Sequence, residues 1–291
     1  MLLELGDVSG DIDGGHAGEG SPGPLDPDRG DTVPVVDDAG LLEALGAAAD
    51  AVARTLGEVV DKQALVAEPT QVLTTQYALD LAADAAAVAV LVDAGLGVLS
   101  EESGRHPGAS DVVVVLDPVD GSTNASRGIP WYATSLAAVD GEGLRAAVVV
   151  DHASGERFEA TRGGGARLDG RPIAASGSAV LGDALVALSG HPGRHQGRPL
   201  GWAQHRVLGA AALDLCAVAC GRIDAFVDTH ESGGLGPWDH LGGLLICREA
   251  GAVGADALGR ELVTLGHADR RAPVVAATGA LLDALLVALA S

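Results

Sequence analysis

The chain has 291 residues, 47% of them apolar, which excludes a globally disordered polypeptide and leaves room for one large domain or two small ones. Forty acidic residues face eighteen basic ones, a formal charge of -22, which excludes gripping nucleic-acid polymers or anionic lipid by phosphate neutralisation. A small anionic substrate stays compatible with that charge, because bound metal ions reverse its sign locally.

Residues 1–38 hold ten acids and one base, punctuated by Gly and Pro, and read as a disordered acidic tail. Asp38 is placed to cap a helix over 39–61, with Leu41, Leu42, Leu45, Ala49, Val52, Leu56 and Val60 as its apolar stripe. A second helix is predicted over 78–95, with Leu79, Ala82, Ala83, Ala86, Val90 and Leu91 inward and glycines at its end. A short strand follows at 97–100. The run 111–116 reads as a buried strand closed by Asp117–Pro118. Strands at 132–139 and 144–151 are joined by the turn Asp-Gly-Glu-Gly. Glycines 163–165 mark a tight turn, and Asp169–Gly170 a further one. Later elements are a strand at 183–189, a helix at 209–221 and a strand at 223–228. A turn-rich loop at 229–237, a helix from Trp238 to Ala250, a strand at 273–277 and a helix at 280–290 complete the chain. Strands and helices intermix without a regular βαβ period, so the pattern favours an α+β or layered α/β fold over a barrel.

Aromatic residues are 2% of the chain, so the core is built of Ala, Val and Leu. Cys216, Cys220 and Cys247 sit in apolar stretches without a zinc spacing and read as plain buried thiols. With no basic leader and no long apolar run, a cytoplasmic protein is the expectation.

The segment from Asp117 to Asn124 (DPVDGSTN) is the most informative. Asp117 and Asp120 follow a buried strand, Pro118 stiffens the turn, and Gly121 permits close backbone approach. Ser122, Thr123 and Asn124 can open a helix whose free N–H groups face an anion. Carboxylates beside an anion-binding terminus make sense together when cations lie between them, and a hard divalent ion, Mg2+ above all, suits oxygen ligands. Glu101 and Glu102 end another short strand, and Asp239 opens an apolar helix that carries Gly242 and Gly243. Three acidic elements at strand or helix ends, if they converge, build a site for two or three metals.

These segments together resemble the inositol monophosphatase family of magnesium-dependent, lithium-sensitive phosphatases. Residues 117–124 resemble its first signature, and 238–251 (WDHLGGLLICREAG) its second. The Ser-Glu-Glu at 100–102 resembles its strand-end Gly-Glu-Glu, and residues 154–170 and 209–228 resemble its central hairpin and the helix and strand before the second signature. The likeness covers about residues 40–290. It implies a layered αβαβα sandwich, with an N-terminal α+β part over 39–175, a C-terminal α/β part over 176–291 and the site between them.

It also implies hydrolysis of a small phosphate monoester by metal-activated water. Glu101, Asp117 and the carbonyl of Val119 would hold one Mg2+, and Asp117, Asp120 and Asp239 a second. Asp80 would help orient a third near Glu101; alternatively it caps the second helix. Mn2+ is an expected substitute and Li+ an expected inhibitor. Glu101 and Ser122 would stand beside the attacking water, and Asp120 would help return a proton to the leaving oxygen. Gly121, Ser122 and Thr123 would cradle the phosphate. Gly209, Ala210, Ala211, Asp228 and Asp239 would meet the substrate, with Asp228 in place of a longer Glu. His152 stands where relatives carry Pro or Asn and is assigned no role. Candidate substrates are phosphates of inositol, sugars or aminosugars, histidinol and nucleosides, in primary or secondary metabolism. Fructose-1,6-bisphosphatase, 3'-phosphonucleotide phosphatase and a degenerate metal- or partner-binding member are the alternatives. A homodimer is the expected assembly, without nucleic acid or membrane as partner.

Overall fold

The structure is a computed structural model and describes residues 36–63, 69–190, 200–230 and 233–290, with the side chains of 58–77 left aside. The acidic tail lies outside these residues up to position 35, as do Glu231 and Ser232 of the 229–237 loop. Helix α1 spans Asp38–Gln63 and α2 Pro69–Asp93. Leu41, Leu45, Ala48, Val52 and Leu56 of α1 are buried at helical spacing and pack with Leu79, Ala83, Ala87 and Leu91 of α2.

Strands β1 (Gly97–Ser100), β2 (Gly104–His106), β3 (Val113–Asp120), β4 (Ala133–Asp140), β5 (Gly143–Asp151), β6 (Arg157–Thr161), β7 (Gly165–Leu168) and β8 (Arg171–Pro172) form one sheet in the order β2-β1-β3-β4-β5-β6-β7-β8. Only β1 and β3 run parallel within it; the other neighbours are antiparallel. A short helix, α3 (Ser122–Arg127), follows β3. Strands β9 (Leu185–Ser189), β10 (Gln204–Arg206), β11 (Ala225–Asp228), β12 (Val253–Asp256) and β13 (Pro273–Ala276) form a second sheet in the order β10-β9-β11-β13-β12. Helices α4 (Ala211–Ala219), α5 (Pro237–Glu249) and α6 (Gly279–Ala290), with a 3-10 turn at Leu181–Asp183, complete the described elements.

Alternation along the strands builds the layers. Val114 and Leu116 of β3 join the core of α1 and α2, whereas Val115 joins the core of α4 and α5 on the opposite face. Phe226 and Val275 of the second sheet meet that same middle core, while Val227, Val186 and Val274 turn outward to Leu281 and Leu285 of α6. The result is α1 and α2, sheet, α4 and α5, sheet, α6: the layered αβαβα sandwich. The described residues form one compact unit. Both phenylalanines of the chain, Phe158 and Phe226, are fully buried in the middle core. The glycines inside α5 let it approach both neighbours. A Cβ on Gly242 would lie 2.7 Å from the Ser135 hydroxyl, and one on Gly243 2.5 Å from the Leu215 Cβ.

Several boundaries differ from the sequence reading. The α1 cap is Asp37, whose carboxylate accepts from the Gly40 N–H at 2.8 Å, while Asp38 pairs with Arg145. Helix α2 begins at Pro69, a residue suited to a first helical turn, so Asp80 lies inside the helix and does not cap it. Its inward stripe takes Asp80, Ala83, Asp84 and Ala87; Ala82 is exposed. Two aspartates ride in the core stripe, Asp84 accepting from the Ser100 hydroxyl and Asp80 facing Glu101 and Glu102, and an apolar periodicity misses both. Strand β3 continues past Asp117–Pro118 to Asp120, and α4 is shorter than expected, which leaves Gly209 and Ala210 in the loop before it. The short strands β2, β10 and β12 carry no apolar alternation, so the sequence pattern does not mark them. Cys216 and Cys247 are buried free thiols and Cys220 is a half-buried one.

Candidate active site

Parallel pairing brings the C-terminal ends of β1 and β3 to one edge, where the Glu101 N–H donates to the Leu116 carbonyl at 3.0 Å. Asp117 and Asp120 are three apart, so in an unbroken strand they would face opposite sides. Here Asp117 pairs with Ser135 and Asp120 with Ala133, three steps on β3 against two on β4. The extra residue is a β-bulge, and it turns both carboxylates to the face that carries α5. Pro118, with no N–H for the ladder, sits inside the bulge. The Val119 N–H closes the bulge onto Asp117 Oδ1 at 3.0 Å.

Asp239 comes from the first turn of α5. Its Oδ2 accepts the Gly236 N–H at 2.6 Å, so it caps its own helix and also faces the cluster. Glu101, Asp117 and Asp239 each offer a carboxylate oxygen, and these oxygens lie within 4.8 Å of one another. This trio draws on both metal sets expected from the sequence. Asp120 stands beside it, with Oδ2 held by the Ala212 N–H at 2.6 Å in the first turn of α4. Among the described residues none of the four makes an ion pair.

Burial comes first among the causes that raise these carboxyl pKa values, and mutual repulsion adds to it. Asp117 is held well above the usual range by burial and then by Glu101, Asp120 and Asp239. Asp239 is raised likewise by burial, Asp120 and Glu101, and Asp120 is pushed up to about 8 by burial against the pull of the Ala212 N–H. Two unit charges at the 4.8 Å limit repel by roughly 3 kcal/mol at an effective dielectric of about 20. Asp80 of α2 extends the cluster. It is buried, its Oδ1 has no hydrogen-bond partner, and burial, Glu102 and Glu101 raise its pKa to about 7. Its neighbour Asp84 accepts from the Ser100 hydroxyl.

The rest of the site lies at the start of α3 and α4. Gly121 adopts φ +83°, and a Cβ there would lie 3.0 Å from the Ala210 Cβ and 3.1 Å from the Gly209 carbonyl. Ser122 is half-buried and Thr123 exposed as α3 begins. Asp120, Asp239, Gly209, Ala210, Ala211 and Asp214 line a cavity of about 140 Å3. Asp228 is not brought to it. Its Oδ1 meets His230 Nδ1 at 2.5 Å and its Oδ2 takes the Gly234 N–H at 2.9 Å. The carboxylate expected to meet the substrate at 228 is thus engaged through both oxygens by the loop beyond it.

Three contributions escaped the sequence reading, which took Asn124 only as part of a helix start. Asn124 donates through Nδ2 to the Trp131 and Leu208 carbonyls, both at 2.8 Å, and ties α3 to the loop of Gly209. Asp214 is buried on α4, accepts the Trp131 indole N–H at 3.0 Å, and is raised by burial to about 8. One acid in a helix otherwise apolar on every side was its available signal. Third, the loop before β13 roofs the cluster. His267 Nε2 donates to the Glu101 carbonyl at 3.0 Å, and Arg270 stacks 5.1 Å over the Trp238 ring.

Residues 40–290 match the inositol monophosphatase family as a whole. The chain belongs to that family. It is 37% identical over 194 residues to the Nus factor SuhB of Salmonella typhimurium, covering 60% of this chain and 71% of that protein. It is 36% identical over 173 residues to the inositol-1-monophosphatase of Mesorhizobium japonicum, covering 56% and 64%. The crystal structure of the extragenic suppressor protein suhB from Bartonella henselae superposes with a TM-score of 0.72 at 28% identity, over 86% of this chain and 99% of that one. The inositol monophosphatase fold thus carries the acidic cluster, which is able to hold metal ions. Among the described residues no helix is long and apolar enough to cross a membrane.

Proposed function

We propose that the protein is a divalent-metal-dependent phosphatase that hydrolyses a small phosphate monoester. The observation that carries this reading is the trio of half-buried Glu101, buried Asp117 and half-buried Asp239, whose oxygens crowd within 4.8 Å without an ion-pair partner among the described residues. Hard oxygen donors, an excess of negative charge that Arg270 offsets only in part and an orphaned buried Asp80 Oδ1 fit Mg2+. Glu101, Asp117, Asp239, Asp120 and the Val119 carbonyl would hold two ions, with Asp80 toward a third. Bound there, Mg2+ neutralises the phosphate dianion that a chain of charge -22 otherwise repels, and it polarises the P–O bonds.

The chain's own groups then divide the work. Glu101, at the open end of β1, accepts the proton of the attacking water, with the Ser122 hydroxyl orienting that water. The N–H groups of Gly121, Ser122 and Thr123 surround the phosphate oxygens, and the φ of Gly121 brings the chain close enough for this. Asp120 relays a proton to the leaving alcohol, which lies in the cavity of Gly209, Ala210 and Ala211. Asp228 is occupied by His230 and Gly234, so Asp214 is the cavity acid that meets the alcohol. This favours a polyol or amino-alcohol over an apolar leaving group.

The test is phosphate release from inositol, sugar, aminosugar, histidinol and nucleoside monophosphates and from bisphosphates, with and without Mg2+. Turnover that requires Mg2+ or Mn2+ and falls with Li+ is expected. A binding role without turnover is the second reading, because the Salmonella relative is named a Nus factor. No turnover on any compound, together with undetectable metal binding by calorimetry, would favour that role.

A further inference from the structure

The bulge that turns Asp117 and Asp120 to one face is held from the other. Thr134 of β4 is fully buried, and its hydroxyl lies 2.8 Å from the Pro118 carbonyl and 2.7 Å from His152 Nε2. A threonine hydroxyl carries one proton and a carbonyl only accepts. Thr134 therefore donates to Pro118, and His152 Nε2–H donates to Thr134, which assigns the tautomer. Burial pushes the His152 pKa down to about 4 against the opposing influence of Asp151, consistent with a neutral ring. The backbone holds that ring in place, because the His152 N–H donates to the Tyr132 carbonyl at 3.1 Å, one step beyond β5.

The Pro118 carbonyl and the Val119 N–H belong to one peptide plane, which is rigid. Thr134 holds its oxygen edge, and Asp117 Oδ1 holds its N–H edge at 3.0 Å. A tilt of that plane displaces the Asp117 carboxylate and the Val119 carbonyl together. We propose that Thr134 and His152 form a positioning relay that fixes the Pro118–Val119 peptide and so sets the metal affinity of the bulge. This rests on the metal reading above.

The experiment is calorimetric titration of the full chain with Mn2+ and Mg2+, with thermal melting as a check on folding. Thr134→Val keeps the shape and deletes the hydroxyl; its metal affinity should fall by about 10- to 100-fold. Thr134→Ser should restore affinity to within about twofold of the parent, since it keeps the donor. His152→Leu should weaken binding in the same direction by a smaller factor. The double variant Thr134→Val, His152→Leu should be no weaker than Thr134→Val alone, because the two act in series. In turnover, the Mg2+ concentration for half activity should rise while kcat at saturating Mg2+ is kept.

A folded Thr134→Val chain that binds metal as the parent does overturns the relay alone, and so do losses that simply add. If Thr134→Val does not fold, His152→Leu decides: unchanged affinity there overturns the proposal. A parent chain that binds neither ion overturns the metal reading and the relay with it.

Discussion

Asp117 and Asp256 are equally buried, at 2% and 3% exposure, yet their carboxyls are shifted in opposite directions. Burial pushes Asp256 up, but the Arg260 guanidinium and the N–H groups of Ala272, Leu258 and Arg260 outweigh it and hold the group below its usual value. Asp117 has the Val119 N–H and three neighbouring acids, and stands well above its usual value. Burial alone therefore does not decide the state of an acid; the partner set does. Asp256 is neutralised within its own chain and serves the fold. Asp117 and its neighbours have no ion pair among the described residues, and Arg270 offsets Glu101 and Asp239 only in part, which is the arrangement a site for an external cation requires.

The largest effect should come from removing one charge from the cluster. Asp117→Asn is expected to lower metal-dependent phosphate release by at least about 10^3-fold, since metal stabilisation of the transition state is worth several kcal/mol. The metal-free melting temperature should hold or rise, because a repulsion is removed. A clear fall in metal-free stability would place Asp117 with Asp256 as a structural acid and break the contrast. Asp256→Asn should do the reverse. It strips a partly exposed arginine and the N–H groups of Ala272, Leu258 and Arg260 of their charged partner, which should cost about 2–3 kcal/mol and lower the melting temperature by roughly 4–6 °C. Phosphate release per folded molecule should be unchanged.

The contrast also fixes the sign of the pH dependence. Asp120 and Asp80, raised to about 8 and about 7, bind protons in the folded chain at pH values where the unfolded chain has released them. Stability of the metal-free chain should therefore fall as pH rises from about 4 toward 8. Asp256 and Asp140 are lowered, so their contribution is present above about 4 and is lost as pH falls through their folded values. Melting in EDTA across pH should show the neutral-side slope, and saturating Mg2+ should flatten it by binding the deprotonated form. A neutral-side slope that persists unchanged with Mg2+ would separate these acids from the metal.

Much of this arrangement is legible in the sequence, for specific reasons. The acids Glu101, Asp117, Asp120 and Asp239 stand at the ends of strongly apolar runs, and chain breaks such as Pro118 and Gly121 sit between them. The β4–β5 hairpin and helices α1 and α5 follow from alternation and helical spacing. The bulge is not legible, because which residue of 117–120 lacks a partner depends on the register with β4. Nor is the withdrawal of Asp228, which depends on a loop closing through His230 and Gly234. Asp80 and Asp84 hide inside an apolar stripe, since a period in hydrophobicity cannot mark polar residues that share the buried face. Short strands such as β10 are exposed throughout and are made by neighbours, not by their own side chains.

A third kind of acid sharpens the contrast at its lower end. Asp37 caps α1 through the Gly40 N–H, and neighbouring Asp38 pairs with Arg145 at 2.8 Å with half its side chain in water. Asp37→Ala should cost about 0.5–1 kcal/mol in urea unfolding, the usual scale of a lost cap, and Asp38→Ala no more than about 0.5 kcal/mol. Solvent already stabilises an exposed carboxylate, so its partner replaces water instead of compensating for the loss of water. If Asp37→Ala were as costly as Asp256→Asn, exposure would not separate these acids and the ordering would have to rest on hydrogen-bond count alone. The pair Asp37→Ala and Asp38→Ala distinguishes the two explanations, because Asp37 holds the orphan N–H that a helix start presents, whereas Asp38 holds an arginine that also has Asp140 within 3.8 Å.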